Sequence, residues 1–179
     1  MLTKLQKRNS EGFTIIEVMI VLAIAALILL IVLLAVPALQ RNSRNTTIKN
    51  DASSVAGGIN TFESDNNGKT PNYVGSTAGK VTIGTGVSAC AAPAAGAASE
   101  TINVNGSTTV NCGQTGLADT DKVGGVVTDG STANIYVKFG ASCADSGAQI
   151  STGVASARAV AIYYLTEISG GNSLQCVSS

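Results

Sequence analysis

An apolar run near the amino terminus constrains the fold of this chain more than any other feature of its sequence. The run extends over 27 residues, from Phe13 to Leu39, and Glu17 is the one charged residue within it. As an α-helix with a rise of 1.5 Å per residue, the run would be about 40 Å long, which is enough to cross the ~30 Å hydrocarbon core of a bilayer. The sequence therefore predicts a membrane-spanning helix over residues 13–39.

The residues before the run indicate which end of the helix stays inside the cell. Three of the four charged residues in this segment are basic: Lys4, Lys7 and Arg8. Such an excess of basic residues is typical of a cytoplasmic end. A secretory signal peptide would have small residues at a cleavage site after its apolar core, whereas here the small residue Gly12 comes before it. The simplest interpretation is an uncleaved signal anchor with residues 40–179 outside.

A simple membrane anchor does not explain Glu17. An ionised carboxylate near the centre of a bilayer costs roughly 2.5–3.5 kcal/mol on insertion scales. Thr14 can satisfy its hydroxyl against the helix backbone, but a carboxylate has to reach the interface or pair with a cation. Since the run contains no cation, we expect the partner of Glu17 to come from another chain or from a new amino terminus.

The stretch "KRNSEGFTIIEVMIVLAIAALI" resembles the amino-terminal signature of type IV prepilins. That signature combines a short basic leader, a Gly, an aromatic residue, Thr with two branched apolar residues, Glu and a long apolar helix. The resemblance covers roughly residues 4–36 and implies that prepilin peptidase cleaves between Gly12 and Phe13, after which the amine of Phe13 is N-methylated. It also implies that this amine meets Glu17 of a neighbouring subunit. The carboxylate would then specify the register of a helical homopolymer, built by the pilus assembly machinery in the membrane.

Pro37 and the absence of glycine distinguish this run from many pilins. Many members of the family carry a helix-breaking Gly and Pro in the middle of the segment, but here no Gly occurs between Phe13 and Leu39. We therefore expect a kink at Pro37, where the helix leaves the membrane. Two arrangements stay open, one long helix from Phe13 to about Asp65 and two helices bent at Pro37.

Beyond Leu39 the sequence predicts a polar helix followed by short β-strands. An apolar stripe with steps of 4, 3, 4 and 3 residues indicates an amphipathic helix, which ends in the turn residues at 65–71. The stripe consists of Ile48, Ala52, Val55, Ile59 and Phe62. Among the later β-like runs, "ARAVAIYYLTEI" and "SLQCV" predict a hairpin, and Tyr163 and Tyr164 alternate along its first strand so that one should face inward.

These elements together predict an α+β fold, in which a long amino-terminal helix packs on a small antiparallel β-sheet head. We expect four segments along the chain. They are a leader peptide at 1–12, a transmembrane or filament-core helix at 13–39, an amphipathic helix half at 40–66 and a β-rich globular head at 67–179.

Four cysteines beyond the apolar run predict two disulfides in an oxidising compartment. They are Cys90, Cys112, Cys143 and Cys176. Three pairings are possible, and the sequence alone leaves them open. Pairing Cys90 with Cys112 and Cys143 with Cys176 is favoured because each loop then stays local. The second of these pairs resembles the carboxy-terminal disulfide loop of many pilins.

The absence of histidine limits the chemistry that this chain can carry out. Without histidine, a Ser–His–Asp or Cys–His nucleophile cannot be assembled, and the lack of a CxxC motif argues against zinc. Asp119, Asp121 and Asp129 have oxygen ligands suited to Ca²⁺, but solvated loop acids are the simpler interpretation. We therefore expect no enzyme activity, catalytic residue, cofactor or metal. A net charge of zero gives no electrostatic reason to expect a nucleic-acid partner.

Three functions are compatible with these features. The prediction is a structural subunit of a type IV pilus, which begins as a single-pass precursor in the cytoplasmic membrane and ends in an extracellular filament. A pseudopilin of a type II secretion or competence DNA-uptake system would carry the same amino-terminal signature. A monomeric, signal-anchored surface adhesin is the third alternative, and it predicts no cleavage after Gly12 and no need for Glu17.

Overall fold

The first element of the structure is a single long helix, α1 (Ile15–Asp65, 51 residues). The computed structural model describes residues 12–113, 117, 121–127, 132–150 and 156–179. Within them, α1 continues through Pro37, although proline lacks the N–H that would bond to the Leu33 carbonyl. The alternative of two separate helices is therefore wrong.

The chain divides into two compact units, Met1–Gln40 and Arg41–Ser179, and α1 contributes residues to both. In the described part of the first unit, every residue is exposed. In the second unit, α1 forms part of a hydrophobic core. The segment boundaries expected from the sequence, after residues 12, 39 and 66, stay predictions.

The turn after α1 ends the helix in the way that the sequence indicates. Asn67 has a left-handed backbone (φ 56°), and Gly68 (φ 76°) donates its N–H to the Glu63 carbonyl at 2.6 Å. This arrangement is a Schellman-type cap, in which a left-handed residue lets the following N–H satisfy a carbonyl that the last helical turn leaves free.

Eight strands follow α1 in the described residues, and they form two sheets. Their bounds are β1 Tyr73–Thr77, β2 Lys80–Gly84, β3 Ser99–Asn103, β4 Thr109–Cys112, β5 Val126–Val127, β6 Asn134–Phe139, β7 Val160–Ile168 and β8 Gly171–Ser178. The first sheet has the order β1-β2-β3, and the second has the order β4-β6-β7-β8-β5. The predicted hairpin is β7–β8, whose antiparallel register runs from Ala161 opposite Ser178 to Ile168 opposite Gly171.

The α+β fold with a long amino-terminal helix packed on antiparallel β-structure is confirmed. Two details differ from the expectation of one antiparallel sheet. There are two sheets, which adjoin where the Ser76 hydroxyl accepts the N–H of Val110 at 2.8 Å. In addition, β4 and β6 are parallel. A parallel pair needs a long connection, and its partners therefore leave no hairpin signal in the sequence.

The apolar stripe of α1 is buried against the sheets, as its spacing predicts. All five residues of the stripe lie in one core cluster with apolar side chains of both sheets, among them Ile83 and Ile162. Gly58 lies on the same side of the helix, and a Cβ at this position would come within 2.7 Å of Ile83 Cδ1. The missing side chain therefore lets the helix and β2 approach each other closely.

The expectation that one of Tyr163 and Tyr164 faces inward is wrong, because both are buried. Tyr164 belongs to the cluster that contains the α1 stripe, and Tyr163 belongs to a second cluster with residues such as Leu165 and Leu174. The five-stranded sheet is thus covered on both faces, and alternate residues of β7 enter different clusters. Burial raises the pKa of both tyrosines.

Candidate functional site

The predicted processing junction lies immediately before α1. Gly12, Phe13 and Thr14 precede the first helical residue, so the Gly12–Phe13 peptide bond lies outside the helix. The Phe13 side chain is 88% exposed, and a Cβ on Gly12 would meet no atom of the described structure within 4 Å. The rest of the predicted leader, residues 1–11, lies outside the described residues. Cleavage after Gly12 and N-methylation of Phe13 stay predictions.

Thr14 and Glu17 form reciprocal hydrogen bonds at the start of α1. The backbone N–H and the hydroxyl of Thr14 both donate to Glu17 Oε2, at 2.9 and 2.6 Å. In return, the Glu17 N–H donates to Thr14 Oγ1 at 3.4 Å. This is a capping box, in which two side chains satisfy N–H groups that have no partner in the first helical turn.

The capping box adds to the interpretation of both residues. From the sequence we expected the Thr14 hydroxyl to bond to the helix backbone, and it accepts the Glu17 N–H. The expectation that Glu17 has no cationic partner in its own helix stays a prediction, since Thr14 is not a cation. The Thr-x-x-Glu spacing is itself a capping-box signature and was the signal that this interpretation missed. Both bonds to Glu17 end on Oε2, and Oε1 accepts no bond from any residue that the structure describes. The carboxylate thus caps its helix and keeps one oxygen available.

The first unit presents a continuous apolar surface on all sides of α1. Large apolar side chains between Phe13 and Leu39 are at least 40% exposed in the isolated chain. A helix that is apolar all round is normally buried, either in a membrane or in a large core. Such a helix therefore requires an apolar environment that the chain by itself does not supply.

The length and hydropathy of α1 are sufficient for a membrane span. The mean hydropathy over an 18-residue window reaches 3.5, and none of that window is buried. The same test is passed by signal sequences and by core helices of soluble proteins, so that it supports a span only together with other evidence. Here none of the apolar window is buried in the described residues.

Arg44 and Asn45 connect the head to α1 through a single residue at the end of β7. The guanidinium of Arg44 donates from Nε and from Nη2 to the two carboxylate oxygens of Glu167, at 2.7 and 2.6 Å. The amide of Asn45 donates to the Glu167 carbonyl at 2.9 Å and accepts the Glu167 N–H at 2.7 Å. The hydrogen bonds from Arg44 lower the pKa of the Glu167 carboxyl.

Asp51 provides a second polar contact between α1 and the head. Its side chain is largely buried, with 8% of the residue exposed. Oδ1 accepts the N–H of Asn105 at 3.1 Å, and Oδ2 accepts the hydroxyl of Thr108. A buried carboxylate is costly unless hydrogen bonds compensate it, and these two donors do so. Sequence reasoning did not identify this contact, because its partners are more than 50 residues apart.

The four cysteines form two disulfides, Cys90–Cys112 and Cys143–Cys176. These are the two pairs favoured from the sequence, because each of them closes a local loop. Asn72 organises the loop that carries the first pair: its backbone carbonyl accepts the Cys90 N–H at 2.8 Å, and its side-chain amide exchanges two hydrogen bonds with the backbone of Gly86. The sequence contains no signal for this role of Asn72.

No metal-binding group is present in the part of the chain that the structure describes, where no three His, Cys, Asp or Glu residues cluster. Of the three aspartates considered for Ca²⁺, Asp119 and Asp129 lie outside the described residues. Asp121 lies within them, where its carbonyl accepts the Ile150 N–H at 2.9 Å.

Residues 7–33 match the family model of the prokaryotic N-terminal methylation motif. This motif is the signature of type IV pilins and prepilins, and the resemblance seen in the sequence is therefore confirmed for this segment. Comparison with curated proteins and with solved structures finds no match. The motif supports a pilin-like or pseudopilin protein and implies processing by prepilin peptidase. Together with the apolar helix, it fits a membrane-anchored precursor.

Proposed function

We propose that this chain is the structural subunit of a type IV pilus, assembled through its amino-terminal helix after cleavage between Gly12 and Phe13. The observation that carries the proposal is the methylation motif at residues 7–33 on a helix whose apolar side chains between Phe13 and Leu39 are exposed. Bilayer and helix-bundle core are both apolar. The same surface is therefore suited first to the membrane-bound precursor and then to the centre of a filament.

Glu17 has a distinct role in this proposal. Oε2 is engaged with Thr14 of its own helix, whereas Oε1 has no partner within the described structure. Cleavage after Gly12 creates a cationic amine on Phe13, and in a staggered bundle this amine binds Glu17 of the next subunit. A single buried polar contact in an otherwise apolar bundle sets register, since every shifted arrangement leaves a charge unpaired.

A pseudopilin of a secretion or DNA-uptake system is the second candidate, because its amino terminus has the same motif. The Cys143–Cys176 disulfide supports a pilus, since it closes a carboxy-terminal loop that resembles the one in many pilins. Electron microscopy with an antibody against the head distinguishes the candidates. A pilus subunit is expected along the length of surface filaments under native expression, whereas its absence from such filaments would favour a pseudopilin.

We also propose a structural rather than a catalytic role. The lack of histidine supports this view, since nucleophilic catalysis by Ser–His or Cys–His pairs is excluded by composition.

Mass spectrometry of the amino-terminal peptide tests the proposed processing. Surface material should yield a chain that begins with N-methylated Phe13, whereas cells without prepilin peptidase should retain the leader. Surface material that still begins with Met1 would exclude the pilus and favour the signal-anchored adhesin.

Substitution of Glu17 tests its role in assembly. Glu17→Ala should insert into the membrane at least as well as the wild type, because an intramembrane carboxylate is removed. It should still be cleaved, but few or no filaments should form. Glu17→Gln should be intermediate, since it keeps the shape and hydrogen bonding of the side chain without its charge. Surface filaments are counted at equal membrane levels of each variant.

Thr14→Ala provides the matched control. It removes the hydroxyl partner of Glu17 within the helix and keeps the carboxylate for the neighbouring subunit. Filaments from Thr14→Ala but not from Glu17→Ala would support the intersubunit pair. Equal loss in both variants would assign Glu17 to helix capping alone, and wild-type numbers from Glu17→Ala would overturn its role in assembly.

A further inference from the structure

The chain contains two Asn–Gly dipeptides, Asn67–Gly68 and Asn105–Gly106, in different backbone environments. An asparagine followed by glycine is prone to deamidate, because the backbone nitrogen of the next residue can attack the side-chain Cγ. Glycine has no Cβ to obstruct that approach. Sequence alone makes the two dipeptides equally reactive, and the structure separates them.

The attacking nitrogen is available at Asn105–Gly106. Asn105 is exposed, and a Cβ on Gly106 would meet no atom of the described structure within 4 Å. The turn is closed by a 2.9 Å bond from the Thr108 N–H to the Asn105 carbonyl, and no group in the described residues accepts the Gly106 N–H. In addition, the Ser107 N–H donates to Asn105 Oδ1 at 3.0 Å. That bond draws electron density from Cγ and makes it more electrophilic.

The attacking nitrogen is occupied at Asn67–Gly68. The Gly68 N–H donates to the Glu63 carbonyl at 2.6 Å, as part of the cap that ends α1. Attack on Asn67 Cγ requires this bond to break first. The loss of one such hydrogen bond should slow the reaction about tenfold.

We propose that Asn105 is a site of spontaneous deamidation, while Asn67 is protected by the helix cap. The Gly106 nitrogen forms a bond to Asn105 Cγ and loses its proton to solvent, and the Cγ–Nδ2 bond breaks with release of ammonia. Water then opens the resulting succinimide at either carbonyl. The products are aspartate and isoaspartate, and the reaction requires no reagent besides water.

The product weakens the contact between Asp51 and the head. The Asn105 N–H donates to Asp51 Oδ1, and Thr108, three residues further on, donates to Oδ2. Deamidation places a second carboxylate on the residue whose backbone N–H binds the buried Asp51, and like charges repel. Isoaspartate also adds one carbon to the backbone between these two donors, so that both cannot keep their positions. As the protein ages, deamidation of Asn105 therefore weakens the attachment of α1 to the head.

The reaction is tested on the full-length chain in detergent, incubated at mildly alkaline pH and mapped by mass spectrometry of its peptides. Asn105 should convert about tenfold faster than Asn67 in the folded protein. The same sample in denaturant should show both dipeptides converting at similar rates. Equal rates in the folded protein, or an intact Asn105 when the denatured sample has reacted, would overturn the proposal.

Two variants test separately the deamidation of Asn105 and its effect on the stability of the head. Gly106→Ala should abolish most of the conversion, and the structure accommodates it because the site is open and its φ is not positive. Asn105→Asp should lower the Tm of the head by about 2–4 °C, which corresponds to the loss of one buried contact in a chain of this size. Rapid conversion in Gly106→Ala would contradict the succinimide route, and an unchanged Tm in Asn105→Asp would contradict the effect on Asp51.

Discussion

At the scale of single residues, Glu167 connects β7 to α1 through its side chain and its backbone together. Its carboxylate binds Arg44 with two hydrogen bonds, and its N–H and carbonyl both bond to the amide of Asn45. The Asn45 amide thus pairs with the Glu167 backbone as a neighbouring strand would, while Arg44 neutralises the charge of the Glu167 carboxylate. Neighbouring residues of one helical turn therefore determine where the end of the β7–β8 hairpin lies on the helix.

The Arg44–Glu167 ion pair should make the stability of the fold depend on pH. Because the pKa of Glu167 is lower in the folded state than its ordinary value of 4.5, the pair stabilises the fold above that pH. This stabilisation is lost as the pH falls through the lowered pKa. Arg44 is 56% exposed, and the effect should therefore be small, with a decrease in Tm of at most about 2 °C for Glu167→Gln at pH 7.

Thermal unfolding of both proteins from pH 7 to pH 2 checks this prediction. The difference in Tm between wild type and Glu167→Gln should disappear at low pH. Glu100→Gln is the matched control, since Glu100 also lies on a strand and forms no ion pair within the described residues. A difference that persists at pH 2 would show that the charge of Glu167 does not contribute.

At the scale of elements, the packing of α1 on the first sheet depends on one of two adjacent glycines. Gly57 has no neighbouring atom within 4 Å of a Cβ position in the described structure, whereas Gly58 faces Ile83 and Ile102. By helix propensity alone, both glycines weaken the helix to the same degree relative to alanine. Only the tertiary contact shows that Gly57 is a cost to the helix and that Gly58 is required for packing.

Alanine substitutions should therefore have opposite effects at these two positions. Gly57→Ala should increase the free energy of unfolding by roughly 0.5–1 kcal/mol, because alanine is the better helix former and the site is open. Gly58→Ala should decrease it by about 1–3 kcal/mol, because the new Cβ would lie 2.7 Å from Ile83 Cδ1 in a closed core. Chemical denaturation of the two variants gives the comparison, and equal shifts of the same sign would contradict it.

At the scale of the whole molecule, two disulfides close the head at separate places. Cys90–Cys112 joins the exposed loop after β2 to the end of β4, and Cys143–Cys176 joins the loop after β6 to β8. The closed loops span 22 and 33 residues. Loop-closure entropy depends only weakly on length, so that the two should stabilise the head to a similar degree.

Removal of either disulfide should cost about 3–4 kcal/mol in the chain-entropy model. The variants replace both cysteines of one pair with serine, and denaturant unfolding measures the loss. Peptide mapping without reductant on the wild type is the accompanying control. A Cys112–Cys143 link or free thiols in that map would contradict the pairing.

The sequence by itself determined the features that depend on short-range patterns. The apolar run predicted a helix, the 4-3-4-3 stripe predicted the buried side of α1, and the runs "ARAVAIYYLTEI" and "SLQCV" predicted the β7–β8 hairpin. From these the α+β class followed, because an amphipathic helix and amphipathic strands bury their apolar sides best against each other. The Thr14–Glu17 capping box is equally local and was predictable from its spacing.

Only the tertiary structure decided the contacts between distant segments. Arg44 lies 123 residues before Glu167, and Asp51 lies 57 residues before Thr108. The parallel pairing of β4 with β6 and the burial of both Tyr163 and Tyr164 belong to the same class. Such contacts leave no periodic trace, because each depends on which surfaces meet once the chain has folded. Local sequence patterns specify each helix and strand. Which of them pack together is decided by the arrangement that buries all of their apolar faces at once.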